Sequence, residues 1–218
     1  MDFSYFFGLF GQLSHGVKYT LGLFAITLAL SLPLGLLLSF ARASRFKVLR
    51  GALGVYIWLM RGTPLLLQLY FFYYGLTFIP YIGEFLVLDR FPASCVAFVL
   101  NYTAYFCEIF RGGLLSVDKG QYEASQVLGF NGWQTATRIV IPQMFRVSLP
   151  SLGNECINLV KDTSLITVIG VTELLYFAKS AVNRDVNATA YLVAALFYLA
   201  MTLVLTKLLK RLEKKFAF

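Results

Sequence analysis

Four polar side chains recur along one otherwise apolar stretch: Ser151, Glu155, Asn158 and Asp162. At 100° per residue they fall within about 60° of one another on a helix face. Asn154 and Lys161 flank that stripe, and Asn101, Tyr105 and Glu108 make a similar one in the preceding apolar block. Ionisable groups inside a membrane-length span cost about 2.5–3.5 kcal/mol on insertion scales, so they mark function by default. Two such stripes suggest a hydrated path with an acidic bias, suited to an ammonium, guanidinium or imidazolium group. Duller readings stand beside this one. Glu108 with Arg111 is an i,i+3 ion pair, Lys161 and Asp162 can pair with each other or with neighbouring helices, and Glu173 is placed near the external surface, solvated.

The remaining candidates carry less. Arg61 lies about 16 Å along a helix from Arg50, deep in its span, where snorkelling or a structural partner competes with carboxylate capture. Pro64 is expected to kink that span. His15 is read as incidental, and the aromatic run Tyr70–Tyr74 as an interfacial belt. No HExxH occurs, the single histidine has no plausible triad, no aspartates pair in typical positions, and no G-x-x-x-x-G-K-[ST] is present. Cys95, Cys107 and Cys156 are an odd set without CxxC spacing and read as small core residues. The expectation is a chain with no catalytic residue, no metal centre and no cofactor of its own.

These residues are carried by apolar blocks. Of 218 residues 58% are hydrophobic and 14% charged, with a mean hydropathy of +0.70; a soluble domain carries about a quarter charged residues. Clear blocks span about 17–40, 52–77, 92–116 and 188–209, each near the roughly 20 residues that cross a bilayer. A fifth, about 147–178, is interrupted by the polar stripe and is long enough to contain a break near Lys161–Ser164. The start of the chain lacks a basic n-region and an A-x-A site, so no removed signal peptide is expected.

Charge sets the topology. Arg42, Arg45, Lys47 and Arg50 follow the first block; Arg111, Lys119, Arg138 and Arg146 lie around the middle connection. Lys207, Lys210, Arg211, Lys214 and Lys215 end the chain. Together these are thirteen of the 19 basic residues. Placing all three groups in the cytoplasm requires an even number of crossings between each pair, so the weak block crosses too. The net charge of +8 is thereby explained without nucleic acid. The expectation is an all-α integral membrane protein of about five helices, N-terminus outside and C-terminus cytoplasmic. With no repeat or linker, residues 1–218 are read as one domain. Spans of this length satisfy their backbones only as helices.

The middle connection is built differently. In "QYEASQVLGFNGWQTATRIVIPQ", residues 121–143, a short helix over 119–128 is expected to end at Gly129, the residue that adopts the left-handed closing conformation most easily. Asn131-Gly132 turns the chain, and a second helix is expected from about Trp133 to near Pro142. So short a helix is marginal alone and needs a surface, either its own bundle or a partner.

Glu123, Ala124, Ser125, Gly129, Ile139 and Pro142 follow the spacing E-A-A-x3-G-x9-I-x-L-P, with Ser125 for the second alanine and Ile141 for the leucine. That pattern resembles the cytoplasmic EAA signature of permease subunits of bacterial ABC importers. "RGTPLLLQLYFFYYG" at 61–75, "RGGLLSVDKGQYEAS" at 111–125 and "NECINLVKDTSLITVIGVTEL" at 154–174 look like the polar amino acid permeases of that class. The likeness runs from about residue 16 to 210.

The resemblance implies a type I importer permease whose coupling segment, about 117–143, enters a cleft of an ATPase subunit. Glu123 would meet a basic group there, Ala124 and Ser125 would allow close approach, and Gly129 would turn the chain. It also implies two ATPase subunits holding ATP and Mg, a second permease, identical or related, and an external amino-acid-binding protein, all at the bacterial cell membrane. An ion-gradient-driven secondary transporter for amino acids is the alternative. It predicts internal repeats or more helices, and it leaves the EAA segment without a task.

Overall fold

The computed structural model describes residues 3–81 and 83–216. Met1, Asp2, Ile82 and residues 217–218 lie outside that set, as do the side chains of Phe3 and Glu84. Nine α-helices follow one another among the described residues, with no strand. They are α1 (Phe3–Arg42), α2 (Lys47–Gly62), α3 (Leu65–Tyr70), α4 (Arg90–Leu115), α5 (Lys119–Val127), α6 (Gly132–Thr135), α7 (Ile141–Asp162), α8 (Leu174–Asp185) and α9 (Thr189–Phe216). Helices α1, α4 and α9 are each long and apolar enough to cross a membrane, and the bent pairs α2–α3 and α7–α8 bring the spans to five.

Helix α1 is 40 residues long, about 60 Å at 1.5 Å per residue and twice a hydrocarbon core. It starts at Phe3 rather than near residue 17 because its first turns have their own partners. Leu9 and Leu13 pack with Leu174, Ala178 and Ala181 of α8 and Val193 of α9. Further along, Thr20, Thr27, Ser31 and Ser39 are fully buried on a face of small residues. Lipid is as apolar as leucine, so spans associate through close backbone approach rather than through a hydrophobic drive. Gly35 shows how close: a Cβ there would lie 2.7 Å from the Phe106 Cβ of α4. The opposite face, with Leu21, Leu30, Leu34 and Leu37 exposed, is left for lipid. Helix α4 is the centre of the molecule, with Phe98, Phe106 and Phe110 buried between α1 and α7.

Pro64 does more than kink its span. A residue before proline is pushed out of the helical region, and Thr63 is extended (φ −118°, ψ 146°). The chain breaks there and turns through 105° between α2 and the segment Leu65–Phe78. The second long span breaks where its length suggested. Helix α7 ends at Asp162 and passes into a 3-10 helix, Thr163–Ile169. Gly170, at φ 78°, then leads into α8 at an angle of 54°.

Two expectations are corrected. The helix expected from about Trp133 does not stop near Pro142: α6, a π-helical turn (Ala136–Val140) and α7 run on as one rod from Gly132 to Ile169. Proline lacks an N–H and crowds the carbonyl four residues back; here that is Arg138, inside the π turn, whose wider spacing accommodates the ring. Nor is Glu173 solvated, since it is 0% exposed. It caps the start of α8 by accepting from the Tyr176 N–H at 2.8 Å. It also accepts from the Tyr198 hydroxyl of α9 at 3.0 Å and from the Thr167 hydroxyl. A helix N-terminus with several donors is where a buried carboxylate is best compensated.

Candidate functional site

The two helix breaks face each other across the middle of α4. Between them lies a polar cavity of about 540 Å³. Arg61, Thr63 and Pro64 line it from the first break, Asn101, Tyr102 and Tyr105 from α4, and Glu155, Asn158 and Asp162 from α7. The two polar stripes thus meet in one place. Asp162 is held from the neighbouring α4 by Tyr102, whose hydroxyl donates to it at 2.7 Å, the second of the two pairings the sequence left open; Lys161 is exposed and does not line the cavity.

Breaking a helix in lipid frees carbonyl groups that nothing outside can satisfy. Gln68 and Asn101 take them. Gln68 Nε2 donates to the Met60 carbonyl at 2.9 Å and to the Thr63 hydroxyl at 2.8 Å. Asn101 Nδ2 donates to the same Met60 carbonyl and to Gln68 Oε1, both at 3.0 Å. Both residues are buried. Asn101 therefore borders the cavity with its amide nitrogen committed to the backbone. Gln68 was missed by the sequence reading, although a lone amide four residues past a proline in an apolar run was the signal for it.

Two stripe residues lie elsewhere. Ser151 is exposed and outside the cavity. Glu108 sits one turn beyond Tyr105, away from the cavity, amid three arginines. Arg111 Nε and Nη2 donate to its two oxygens at 2.9 and 2.7 Å, with Arg61 at 3.8 Å and Arg42 at 3.9 Å. The i,i+3 pair is present, enlarged into a cluster.

The segment between α4 and α7 forms a second candidate surface. Asp118 caps α5 by accepting from the Gly120 N–H at 2.7 Å. At the other end Gly129 has φ 75°, and the Phe130 and Gly129 N–H groups bond back to the Ser125 and Gln126 carbonyls at 2.9 and 3.0 Å. This double bond pattern closes a helix through a left-handed residue. Asn131 and Gln134 then form a reciprocal capping box that starts α6.

Ser125 does not face outward. It is fully buried, and the Thr135 hydroxyl donates to it at 3.0 Å, tying α5 to α6. Gln143 donates to Gln121 at 3.1 Å, tying α5 to α7. Glu123, Ala124, Gly129 and Pro142 are exposed, and Ile139 is half-buried. Around them stand apolar side chains that the sequence reading did not single out: Val127 is 88% exposed, Leu128 71% and Trp133 77%. Such a patch on a polar hairpin marks an interaction surface.

The chain matches the model of the family described as the binding-protein-dependent transport system inner membrane component over residues 31–218. It is 39% identical to the glutamine transport system permease protein GlnP of Escherichia coli (strain K12) over 204 residues, 93% of this chain and 92% of that one. It is 38% identical to the L-cystine transport system permease protein TcyB of Bacillus subtilis (strain 168) over 205 residues, 93% and 86% of the two chains. A crystal structure of an amino acid ABC transporter with histidines superposes with a TM-score of 0.88 at 31% identity, covering 99% of both chains. The probable amino-acid ABC transporter permease protein YckA of Bacillus subtilis (strain 168) is 38% identical over 203 residues, 93% of this chain and 88% of that one. With five spans, two helix breaks around a polar cavity and a capped hairpin at the EAA spacing, the chain belongs to the binding-protein-dependent transport system inner membrane components, as a permease subunit of an amino-acid ABC importer.

Proposed function

We propose that this permease carries polar amino acids through the cavity between the two helix breaks and receives its driving force at the α5–α6 hairpin. The observation that carries the reading is the cavity itself, in which Glu155 and Asp162 from a broken α7 face Arg61 and Thr63 from a broken α2. Substrate sites of transporters are commonly built where discontinuous helices expose polar groups near the midplane. Both acidic groups suit an ammonium or a basic side chain, and relatives named for glutamine and cystine transport support a polar amino acid.

At the hairpin, Glu123, Ala124 and Gly129, with Val127, Leu128 and Trp133, form the face that enters a cleft of one of two ATPase subunits. ATP and Mg²⁺ are bound and hydrolysed there, not in this chain. Ser125 holds the hairpin from behind, and Ile139 and Pro142 carry it into α7. One hairpin serves one ATPase, so a second permease, a copy or a relative, completes the pathway, and an external binding protein delivers the amino acid. Residues 1–218 act as one permease domain in the bacterial cell membrane, with the N-terminus outside and the hairpin and C-terminus in the cytoplasm, as the basic clusters require. Closure of the ATPases rocks the two permeases and exposes the cavity to alternate sides.

The test is ATP-driven uptake of labelled polar amino acids in liposomes holding the permease, its ATPase and its binding protein. Gly129→Asp is expected to abolish uptake while the membrane complex still assembles, and Asp162→Asn to weaken substrate binding. Uptake that ignores ATP, or that survives Gly129→Asp unchanged, overturns the reading.

A further inference from the structure

Arg61 belongs to two cavities at once. It lines the polar cavity between the helix breaks and a neighbouring one of about 370 Å³ that also contains Arg42 and Glu108. Its guanidinium lies over the Tyr105 ring, 5.2 Å from the centroid, and its side chain is 44% exposed.

Its tie to Glu108 is loose. A carboxylate gripped at both oxygens by one guanidinium fork is well satisfied, and Arg111 grips Glu108 in that way. Arg61, at 3.8 Å, is outside hydrogen-bond length. Arg42 is no better placed, at 3.9 Å, with its buried Nε lacking any hydrogen-bond partner. Three guanidinium groups therefore converge on a single carboxylate, and the cluster has room for a second one.

We propose that Arg61 reads the free α-carboxylate of the transported amino acid, and that Glu108 is the built-in counter-carboxylate that draws Arg61 back when the substrate leaves. In the cavity, Arg61 at one wall and Glu155 and Asp162 at the other form a complement to a zwitterion: carboxylate toward α2, ammonium toward α7. Tyr105 stays under the guanidinium in both positions, so the movement is a short swing of the side chain. This rests on the cavity being the substrate site, and the experiment separates the two claims.

The permease–ATPase complex in nanodiscs, without the binding protein (which would impose its own selectivity), is titrated with L-glutamine, L-arginine and L-cystine. The α-carboxamide of each is titrated in parallel. The unmodified complex is expected to prefer the free acid by about tenfold or more, the worth of a charge-assisted hydrogen bond. Arg61→Gln brings the two affinities within about twofold by weakening the acid alone, and Arg61→Lys restores part of the preference. Glu108→Gln strengthens binding of the acid, not of the amide, and slows its release in the reconstituted transporter.

An unchanged preference in Arg61→Gln overturns the proposal, and so does equal weakening of acid and amide, which would make Arg61 a wall of the cavity. If Asp162→Asn alters the binding of neither ligand, or if none of the amino acids binds the unmodified complex, the cavity reading itself fails.

Discussion

Gly16 of α1 lies so close to the α7–α8 elbow that a Cβ there would stand 2.5 Å from the Glu173 carbonyl carbon and from the Leu174 nitrogen. Both of those atoms are backbone and cannot move aside as a side-chain tip would. The seam between α1 and the elbow therefore depends on a missing methyl group.

Gly16→Ala is expected to force α1 away from the elbow and to cost about 1–3 kcal/mol, the range for overpacking a tight contact. Gly8, two turns earlier on the same helix, has nothing within 4 Å of its Cβ position. Gly8→Ala should be neutral or stabilising by up to about 1 kcal/mol, since alanine favours the helix. Thermal unfolding of the two purified variants side by side checks this, and equal midpoints would refute the close-approach argument.

Glu173 holds the same elbow from inside. Its carboxylate takes hydrogen bonds from α8, α9 and the 3-10 turn, and removing it orphans all of those donors together. Each buried unsatisfied group costs about 1–3 kcal/mol, so Glu173→Leu is expected to abolish accumulation of folded protein. Glu173→Gln keeps one acceptor oxygen and the shape, and should fold with a lowered melting midpoint. If Leu is tolerated as well as Gln in membrane expression and melting assays, the hydrogen bonds are not what anchors α8.

These residues show where the sequence was readable. The closing turn at Gly129, the five crossings and the break at Asp162 all follow from local rules: turn chemistry, basic clusters, and a span too long to be straight. Glu173 was misread because a carboxylate after a glycine near a span's end has the same local pattern whether it is solvated or caps a buried helix. Only the distant donors Thr20 and Tyr198, whose hydroxyls reach the carboxylate at 3.5 and 3.0 Å, distinguish the two cases. Val127, Leu128 and Trp133 escaped notice for the opposite reason. In a chain this apolar, hydrophobic side chains read as core or lipid contacts, and their exposure appears only once α5 is folded onto α6 and α7.

Gln68 closes the gap that Pro64 opens. Gln68→Leu is close in size but leaves the Met60 and Thr63 carbonyls with fewer donors, and it leaves the Asn101 amide with the Met60 carbonyl alone. A loss of about 1–3 kcal/mol in stability is expected, together with weaker substrate binding, because the break forms one wall of the cavity proposed to hold the substrate. Gln68→Glu removes the donor while keeping an acceptor, and should be no better than Leu. A melting series paired with ligand titration on the same samples tests both effects; a Leu variant with unaltered melting and binding would mean that water replaces the amide.

The hairpin separates conformation from contact. At Gly129 the constraint is backbone: a side chain at φ 75° costs about 1–2 kcal/mol, although nothing crowds the position. Gly129→Ala should therefore loosen the end of α5 and reduce ATP-driven uptake only partially. At Trp133 the constraint, on the proposed function, is the partner. The ring is exposed in the isolated chain and makes no contribution to the core, so Trp133→Ala should leave the melting midpoint of the permease unchanged. Buried aromatic anchors at interfaces are worth about 2 kcal/mol or more, which is roughly thirtyfold in ATPase association. Titrating the ATPase onto the immobilised permease measures that directly. An alanine at 133 that binds the ATPase as tightly as tryptophan would move the docking face away from Val127, Leu128 and Trp133, and would leave their exposure to be explained by the membrane surface instead.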